Sequence, residues 1–485
     1  MAKSAPNIIY IFSDQHRYDA MGCAGNPVIQ TPNLDRMANE GVRFSRAYCQ
    51  SPVCQPSRAS VISGLYTHQH GISRNFSKDL DPDADNMMKQ LKGSGYTTAQ
   101  IGKTHFYSPD MQKIMSQPEP REVDLRQFAS KVQAFGFDFV LEEFDRYWHA
   151  PEGIAVQTPY TEYLRSKGRL EAYQEQIRSV WRLTPSHWEA KTSVLPQEDD
   201  LTAFLAREAI GWLKTRNRQT PFFLMLDFVQ PHVPLIDDPV WAAFYENAAI
   251  PMGPRQAPQK TNEIWDQYLE SCAEHSNAHL LTDDYVTNAA RHYYGMVSLI
   301  DQCIGDVLNV LEESGLAEDT WVVYSADHGE MLGDHNLMAK MQFYRSSVQV
   351  PAIIRPPAGG SADLPHAPKV YNGLVESVDL TATILDIAGA GPLHDSGGMS
   401  LLPVLSGGSI NRETAFSAIQ GRKSYFVMAA TERYRMTIER NSNTYCELFD
   451  LMDDPDELHN LVNDPDYAAI CRDIDKDLIQ PHLAA

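Results

Sequence analysis

Cys54-Gln55-Pro56-Ser57-Arg58, running on through Ala59-Ser60-Val61-Ile62-Ser63 to Gly64, places a reactive side chain at the start of a helix. Proline is pre-organised for the first helical position, where its missing N–H is no loss. Gly64 can close the helix in the left-handed region. A cysteine at such a start meets unpaired backbone N–H groups at a positive helix end, which favours the thiolate. One turn later Arg58 adds a permanent charge and a planar fork suited to a tetrahedral oxyanion. This is the chemistry of a nucleophile working on an anionic ester. A structural cysteine ahead of an ordinary helix is the plainer use of the same residues.

Other candidates follow apolar runs. Asn7 to Ser13 is a continuous β-branched and aromatic run that fits a buried parallel strand, and it ends at Asp14-Gln15. Ligands of open α/β sheets gather at the carboxyl ends of strands, which makes Asp14 a metal-ligand candidate; a helix cap or turn aspartate is the alternative. Gly95 to Gly102 reads as a second strand delivering Lys103-Thr104-His105, a pair that would share one face if the strand continued. Pro221 to Phe228 is a third, running into Pro231-His232-Val233-Pro234, and Thr320 to Ala326 a fourth, ending in Asp327-His328-Gly329-Glu330. His68 and His70 lie in a turn-rich segment and read as loop residues.

In this order the segments resemble the type I sulfatases of the alkaline phosphatase superfamily: Cys-x-Pro-Ser-Arg at 54–58, Lys-x-His at 103–105, Pro-His-x-Pro at 231–234, Asp-His at 327–328, Lys340, and Glu447-Leu448-Phe449-Asp450-Leu451 near the end. The resemblance implies that Cys54 is oxidised to formylglycine by a formylglycine-generating or anaerobic sulfatase-maturating enzyme. It further implies that the hydrated aldehyde attacks sulfur and that its second hydroxyl then expels sulfate. Asp14, Gln15, Asp327, His328 and the group at position 54 would hold one divalent cation. Arg58, Lys103 and Lys340 would offset charge on the sulfate, His105 would be the base that triggers expulsion, and His232 the acid for the leaving oxygen. Asn75 falls where many relatives place a polar contact near the substrate.

Two positions depart from the commonest pattern of that family, which has Asp where this chain has Gln15 and Asn where it has His328. The set resembles the branch containing phosphonate monoester hydrolases and choline sulfatases, and an imidazole ligand suits Mn²⁺ better than an all-oxygen shell, so the metal is Ca²⁺ or Mn²⁺. Phosphonate hydrolases lack the Lys-x-His kept here. The expectation is therefore a hydrolase of sulfate monoesters, aryl sulfates by assay. The alternatives are a phosphonate monoester or phosphodiester hydrolase, or a non-catalytic binder of sulfated ligands with Cys54 left as a thiol.

The elements that must position these residues set the fold expectation. Parallel strands alternating with helices imply an α/β protein, and the resemblance implies a large mixed sheet of alkaline-phosphatase-like type with a small C-terminal antiparallel subdomain. We expect a catalytic domain over 1–410, with a polar, irregular insertion at 108–200 for specificity or oligomer contacts, and a C-terminal subdomain over 411–485. The chain has 485 residues, enough for a large core, and 43% hydrophobic residues without a run of membrane-spanning length. Its opening reads as a first strand rather than a signal peptide, which implies a cytoplasmic protein. Seven cysteines without framework spacing argue against a disulfide scaffold. A formal charge of -22 argues against nucleic-acid binding and requires a local cation cluster to attract an anionic substrate. The expected partners are a small sulfated substrate, the maturating enzyme and a second copy of the chain in a homo-oligomer, with no nucleic acid or membrane.

Overall fold

The computed structural model describes residues 5–107, 121–183, 188–358 and 367–484. Stretches 108–120 and 184–187 of the expected insertion, and residues 359–366, lie outside them. Among the described residues the main element is a nine-stranded sheet. Its strands are β1 (Asn7–Asp14), β2 (Val42–Tyr48), β3 (Thr97–Gly102), β4 (Phe139–Glu142), β5 (Phe222–Pro231), β6 (Thr320–Ala326), β7 (Gln349–Val350), β8 (Ala352–Arg355) and β9 (Val370–Glu376). They run in the order β7-β2-β8-β6-β1-β5-β3-β4, with β9 also paired to β2. The block β6-β1-β5-β3-β4 is parallel, whereas β8 is antiparallel to both β6 and β2.

Both faces of the central strands are covered, as their unbroken apolar runs require. Ile8, Tyr10, Phe12, Phe223 and Met225 point into one core with Ala59, Val61 and Ile62. Ile9, Ile11, Leu224, Leu226 and Tyr324 point into the other, beside Leu34, Leu205 and Ile304. The period-2 alternation of strand side chains sorts one sequence run into two cores. The first face carries α2 (Cys54–Ser63) and α5 (Ser377–Ile387). The second carries α1 (Pro32–Glu40), α3 (Leu201–Thr215) and the long α4 (Asp283–Glu313).

Every residue of α2 is buried, and Gly64 ends it at φ 71, as the sequence implies. The helix begins at Cys54, so Pro56 is its third residue rather than its first. The missing N–H remains harmless because the first turn has no intrahelical acceptors. The expected irregular insertion instead contributes β4 to the edge of the main sheet, along with helices over Pro159–Ser166 and Leu170–Leu183. A four-residue edge strand is too short for its alternation to stand out in sequence.

The C-terminal part forms a four-stranded antiparallel meander of β10 (Ala415–Gln420), β11 (Tyr425–Ala430), β12 (Tyr434–Glu439) and β13 (Thr444–Asp450), closed by helical turns from 468 onward. It is tied to the segments flanking α2. The Ala418 N–H donates to Gln50 C=O (2.9 Å) and the Gln420 N–H to Ser73 C=O (2.9 Å). Arg435, fully buried, reaches Glu447 at 2.9 Å and also pairs with Glu457. No described helix is long and apolar enough to cross a membrane, and none of the seven cysteines is in a disulfide.

Two histidines outside the ligand set are locked in the neutral form. His70 accepts the Ile72 N–H at Nδ1 (3.0 Å) and faces Ser60 Oγ with Nε2 (3.0 Å), and burial pushes it down to about 3. His16 faces the Ala20 carbonyl with Nε2 (3.0 Å) and the Tyr324 hydroxyl with Nδ1, and burial pushes it down to about 4. An unfolded histidine titrates near 6.5, so below that pH the unfolded chain binds protons that the folded one refuses. Their contribution is complete above pH 6.5 and is lost as the pH falls toward 4 for His16 and toward 3 for His70. Each group contributes about 1.4 kcal/mol for every tenfold by which folding weakens its proton affinity. The thermal midpoint, followed by calorimetry, should fall steeply across that window. His70→Gln should flatten the dependence.

Candidate active site

Strand register brings the candidate residues to one edge. Ser13 pairs with Ala326 and Gly102 with Asp227, so β1, β3, β5 and β6 release Asp14, Lys103, His232 and Asp327 at the same end of the sheet. The close approach of β3 to β5 demands Gly102. It sits at φ 112, and a Cβ there would lie 1.8 Å from the Asp227 carbonyl oxygen.

Cys54 lies at the centre, 1% exposed. Its Sγ is 3.1 Å from His328 Nε2, 3.1 Å from Lys340 Nζ and 3.6 Å from Asp14 Oδ1. One donor atom each from Asp14, Cys54, Asp327 and His328 falls within 4.8 Å of all the others. His328 turns Nδ1 to the Gly329 carbonyl (2.9 Å), leaving Nε2 to face the cluster, and burial pushes the imidazole down to about 4. A neutral ring fixed through its other nitrogen is the form in which histidine ligates metal. Gln15, in the left-handed region at φ 71, donates its backbone N–H to Asp327 Oδ1 (2.9 Å) and its amide N–H to Glu330, and its amide oxygen accepts from Lys340 Nζ (2.7 Å). The buried carboxyls Asp14, Asp145, Asp227, Asp327 and Glu330 outnumber the cations Arg58, Lys103 and Lys340. A mixed carboxylate and imidazole set whose donor atoms converge on one point fits a divalent cation.

Arg58 does not offer its fork to open space. Fully buried, it donates from Nε to Asp327 (2.8 Å) and from its terminal nitrogens to Asp14 (3.3 Å), Asp227 (3.3 Å) and the Lys103 carbonyl. It fixes the carboxylates that face Cys54. Burial alone would raise Asp14, but Lys103, His232, Lys340 and Arg58 hold its carboxyl well below the ordinary range.

Lys103-Thr104-His105 is not strand. β3 stops at Gly102, and His105 takes φ 55, so the two side chains are placed by a loop rather than by alternation. Thr104 anchors that loop, its N–H and hydroxyl both donating to Glu142 (3.1 and 2.8 Å). Lys103 Nζ bridges Asp14 (2.6 Å) and Asp145 (2.5 Å). His105 Nδ1 is buried without a hydrogen bond, and burial, with Lys103 beside it, keeps the ring neutral well below 6.5. His232 holds Nδ1 2.9 Å from the Val233 carbonyl and 3.8 Å from Asp145. Asn75 accepts the Gln55 N–H on Oδ1 at 2.9 Å.

Sequence reasoning did not single out Asp145, Asp227, Tyr147 or Glu330 for this site. Asp145 joins Lys103 to the Tyr147 hydroxyl (2.8 Å) from a segment without a motif. Asp227 carried a signal, being an acid inside the apolar run Phe222 to Phe228. Burial pushes it up to about 7. His68 and His70 lie in a short helix, Thr67–His70, and neither joins the cluster.

Residues 6–390 match the Sulfatase family. The chain belongs to the sulfatase family. Residues 333–483 also match the C-terminal region of N-sulphoglucosamine sulphohydrolase. Over 96% of its length this sulfatase-family chain is 29% identical to the multifunctional alkaline phosphatase superfamily protein PehA of Trinickia caryophylli, covering 93% of that protein. It is 28% identical to the arylsulfatase of Clostridium perfringens, with 95% of this chain and 91% of the relative aligned. The phosphonate monoester hydrolase of Agrobacterium radiobacter superposes with a TM-score of 0.77 at 25% identity, covering 98% of this chain and 96% of that one. The expected alkaline-phosphatase-like α/β architecture, with its small antiparallel C-terminal sheet, is thereby borne out.

Proposed function

We propose that this chain hydrolyses sulfate monoesters of the aryl type, with a formylglycine made from Cys54 as its nucleophile. The observation that carries the reading is the placement of Cys54 Sγ between Lys340, His328 and Asp14 at the buried N-terminus of α2. Formylglycine, hydrated, would supply one hydroxyl to attack sulfur and a second to release sulfate. A divalent cation, Ca²⁺ or Mn²⁺, held by Asp14, Gln15, Asp327, His328 and position 54, would acidify that hydroxyl and polarise the ester.

The remaining work falls to side chains of this chain. Lys340 and Lys103 place positive charge where the sulfate oxygens gain density, and Arg58 holds Asp14 and Asp327 against each other's repulsion. His105 would serve as the base through Nδ1, which has no hydrogen-bond partner among the described residues. His232 has Nδ1 committed to a carbonyl, so only its doubly protonated ring would carry on Nε2 the proton that the leaving oxygen takes. The partners are then a small sulfated substrate and a maturating enzyme, and the setting is cytoplasmic.

A second reading, phosphonate monoester or phosphodiester hydrolysis, is favoured by the Gln15 and His328 pair in the ligand set. The double variant Lys103→Ala with His105→Ala separates the two. A monoester presents sulfate oxygens on every side away from its single ester link, whereas a phosphonate or diester carries an arm in one of those directions. The pair should grip the first and crowd the second. Each lost contact should cost about 2–4 kcal/mol in kcat/KM on an aryl sulfate and far less on an aryl phosphonate. Equal losses, or a parent faster on the phosphonate, would move the assignment to the second reading. Peptide mass spectrometry across Cys54 tests the modification directly, and an unoxidised thiol in active protein would exclude it.

A further inference from the structure

Phe76 combines three features that a loop residue has no reason to combine. It is 55% exposed, it is a large apolar ring, and its backbone lies in the left-handed region at φ 61. Glycine or asparagine takes that conformation freely, whereas a bulky side chain persists there only when its surroundings impose it.

The constraint comes from the residue beside the nucleophile position. Gln55, fully buried, donates its backbone N–H to Asn75 Oδ1 (2.9 Å) and accepts the Phe76 N–H on Oε1 (2.7 Å). It donates from Nε2 to the Lys78 carbonyl (2.9 Å). A clamp rooted in α2 therefore turns the Phe76 ring outward at the edge of the site.

The ring does not stand alone there. Its centroid is 5.7 Å from the His105 ring and 6.3 Å from Trp148 at an interplanar angle of 82°. Trp148 lies 5.0 Å from Tyr147, and Tyr147 lies 6.3 Å from the His232 ring. Phe76, Trp148 and Tyr147 thus form an arc from one proposed catalytic histidine to the other. The Tyr147 hydroxyl is committed to Asp145, which pins that end of the arc.

We propose that Phe76 and Trp148 are the wall of a subsite for the organic part of the substrate, and that this subsite takes a flat aromatic alcohol. The inference rests on the reading that the Cys54 site cleaves an ester, and it deepens that reading by naming residues that select the alcohol. Neighbouring rings at these spacings suit a plate lying against them by offset or edge contact. A quaternary ammonium is enclosed by ring faces from several directions. A sugar needs hydrogen-bonding groups along its rim, and the Tyr147 hydroxyl is already bonded to Asp145.

The test is the ratio of kcat/KM for 2-naphthyl sulfate over phenyl sulfate, corrected for leaving-group acidity. Affinities of the same pair, measured by calorimetry, make the ratio independent of turnover. The parent should favour the two-ring ester. Phe76→Ala and Trp148→Ala should each shrink that preference by about 3- to 10-fold, and Phe76→Tyr should retain it. Because Phe76 is exposed, its truncation leaves both cores untouched. An unchanged ratio in Phe76→Ala, or a parent that prefers choline sulfate to both aryl esters, would overturn the subsite. If the parent cleaved no sulfate, the sulfatase reading would fail by itself, and the ratio for the matching aryl phosphonates would decide the subsite in its place.

Discussion

Cys54→Ala is expected to lose turnover by a factor on the order of 10⁵ or more, the scale of removing a nucleophile. The protein should still fold, because one small buried atom is lost and about 1 kcal/mol of stability with it. Cys54→Ser is the sharper variant. Its single hydroxyl, near Lys340 and His328, could take the sulfuryl group once but has no second hydroxyl to expel it. It should release at most one alcohol per protein and retain a sulfated peptide visible by mass spectrometry. Sustained multiple turnover by purified Cys54→Ser would sink the formylglycine assignment.

Arg58→Met should produce the second large effect, and chiefly on stability. The guanidinium is fully buried against Asp14, Asp227 and Asp327, and methionine keeps apolar bulk while removing every donor. Breaking one partner out of a buried ion cluster costs about 3–5 kcal/mol because the remaining charges are left uncompensated. Asp227, already pushed up to about 7 by burial, would take a proton and limit the loss. Metal affinity should fall about 10- to 100-fold, the usual effect of losing a group that orients ligands. Thermal melting and metal titration read the two effects. A variant with parental melting and metal content but a raised KM would make Arg58 a substrate contact instead.

Much of this site was legible in sequence because its residues lie next to strong local signals. Asp14 and Asp327 follow unbroken apolar strands, and Cys54 opens a helix that Gly64 closes. These patterns are set by near neighbours, so they survive without knowledge of the fold. The part that was not legible depends on contacts distant in sequence. Arg58 reads as an open oxyanion fork until the strands on either side bring carboxylates to all its edges. Lys103 and His105 read as an alternating pair until β3 is seen to stop at Gly102, before either of them. Asp145 belongs to a stretch whose local pattern gives no hint of the lysine and tyrosine it joins.

The burial of Cys54 also has a consequence in time. His328, which packs against its thiol, follows it by 274 residues. The strand leading to His328, β6, is also a direct neighbour of β1. At synthesis rates of about 5–20 residues per second, that separation corresponds to roughly 15–50 s during which Cys54 exists and its enclosure does not. A reagent or enzyme that acts on the thiol has that interval in which to meet it. Once β6 is in place the thiol is 1% exposed, and the chance has passed.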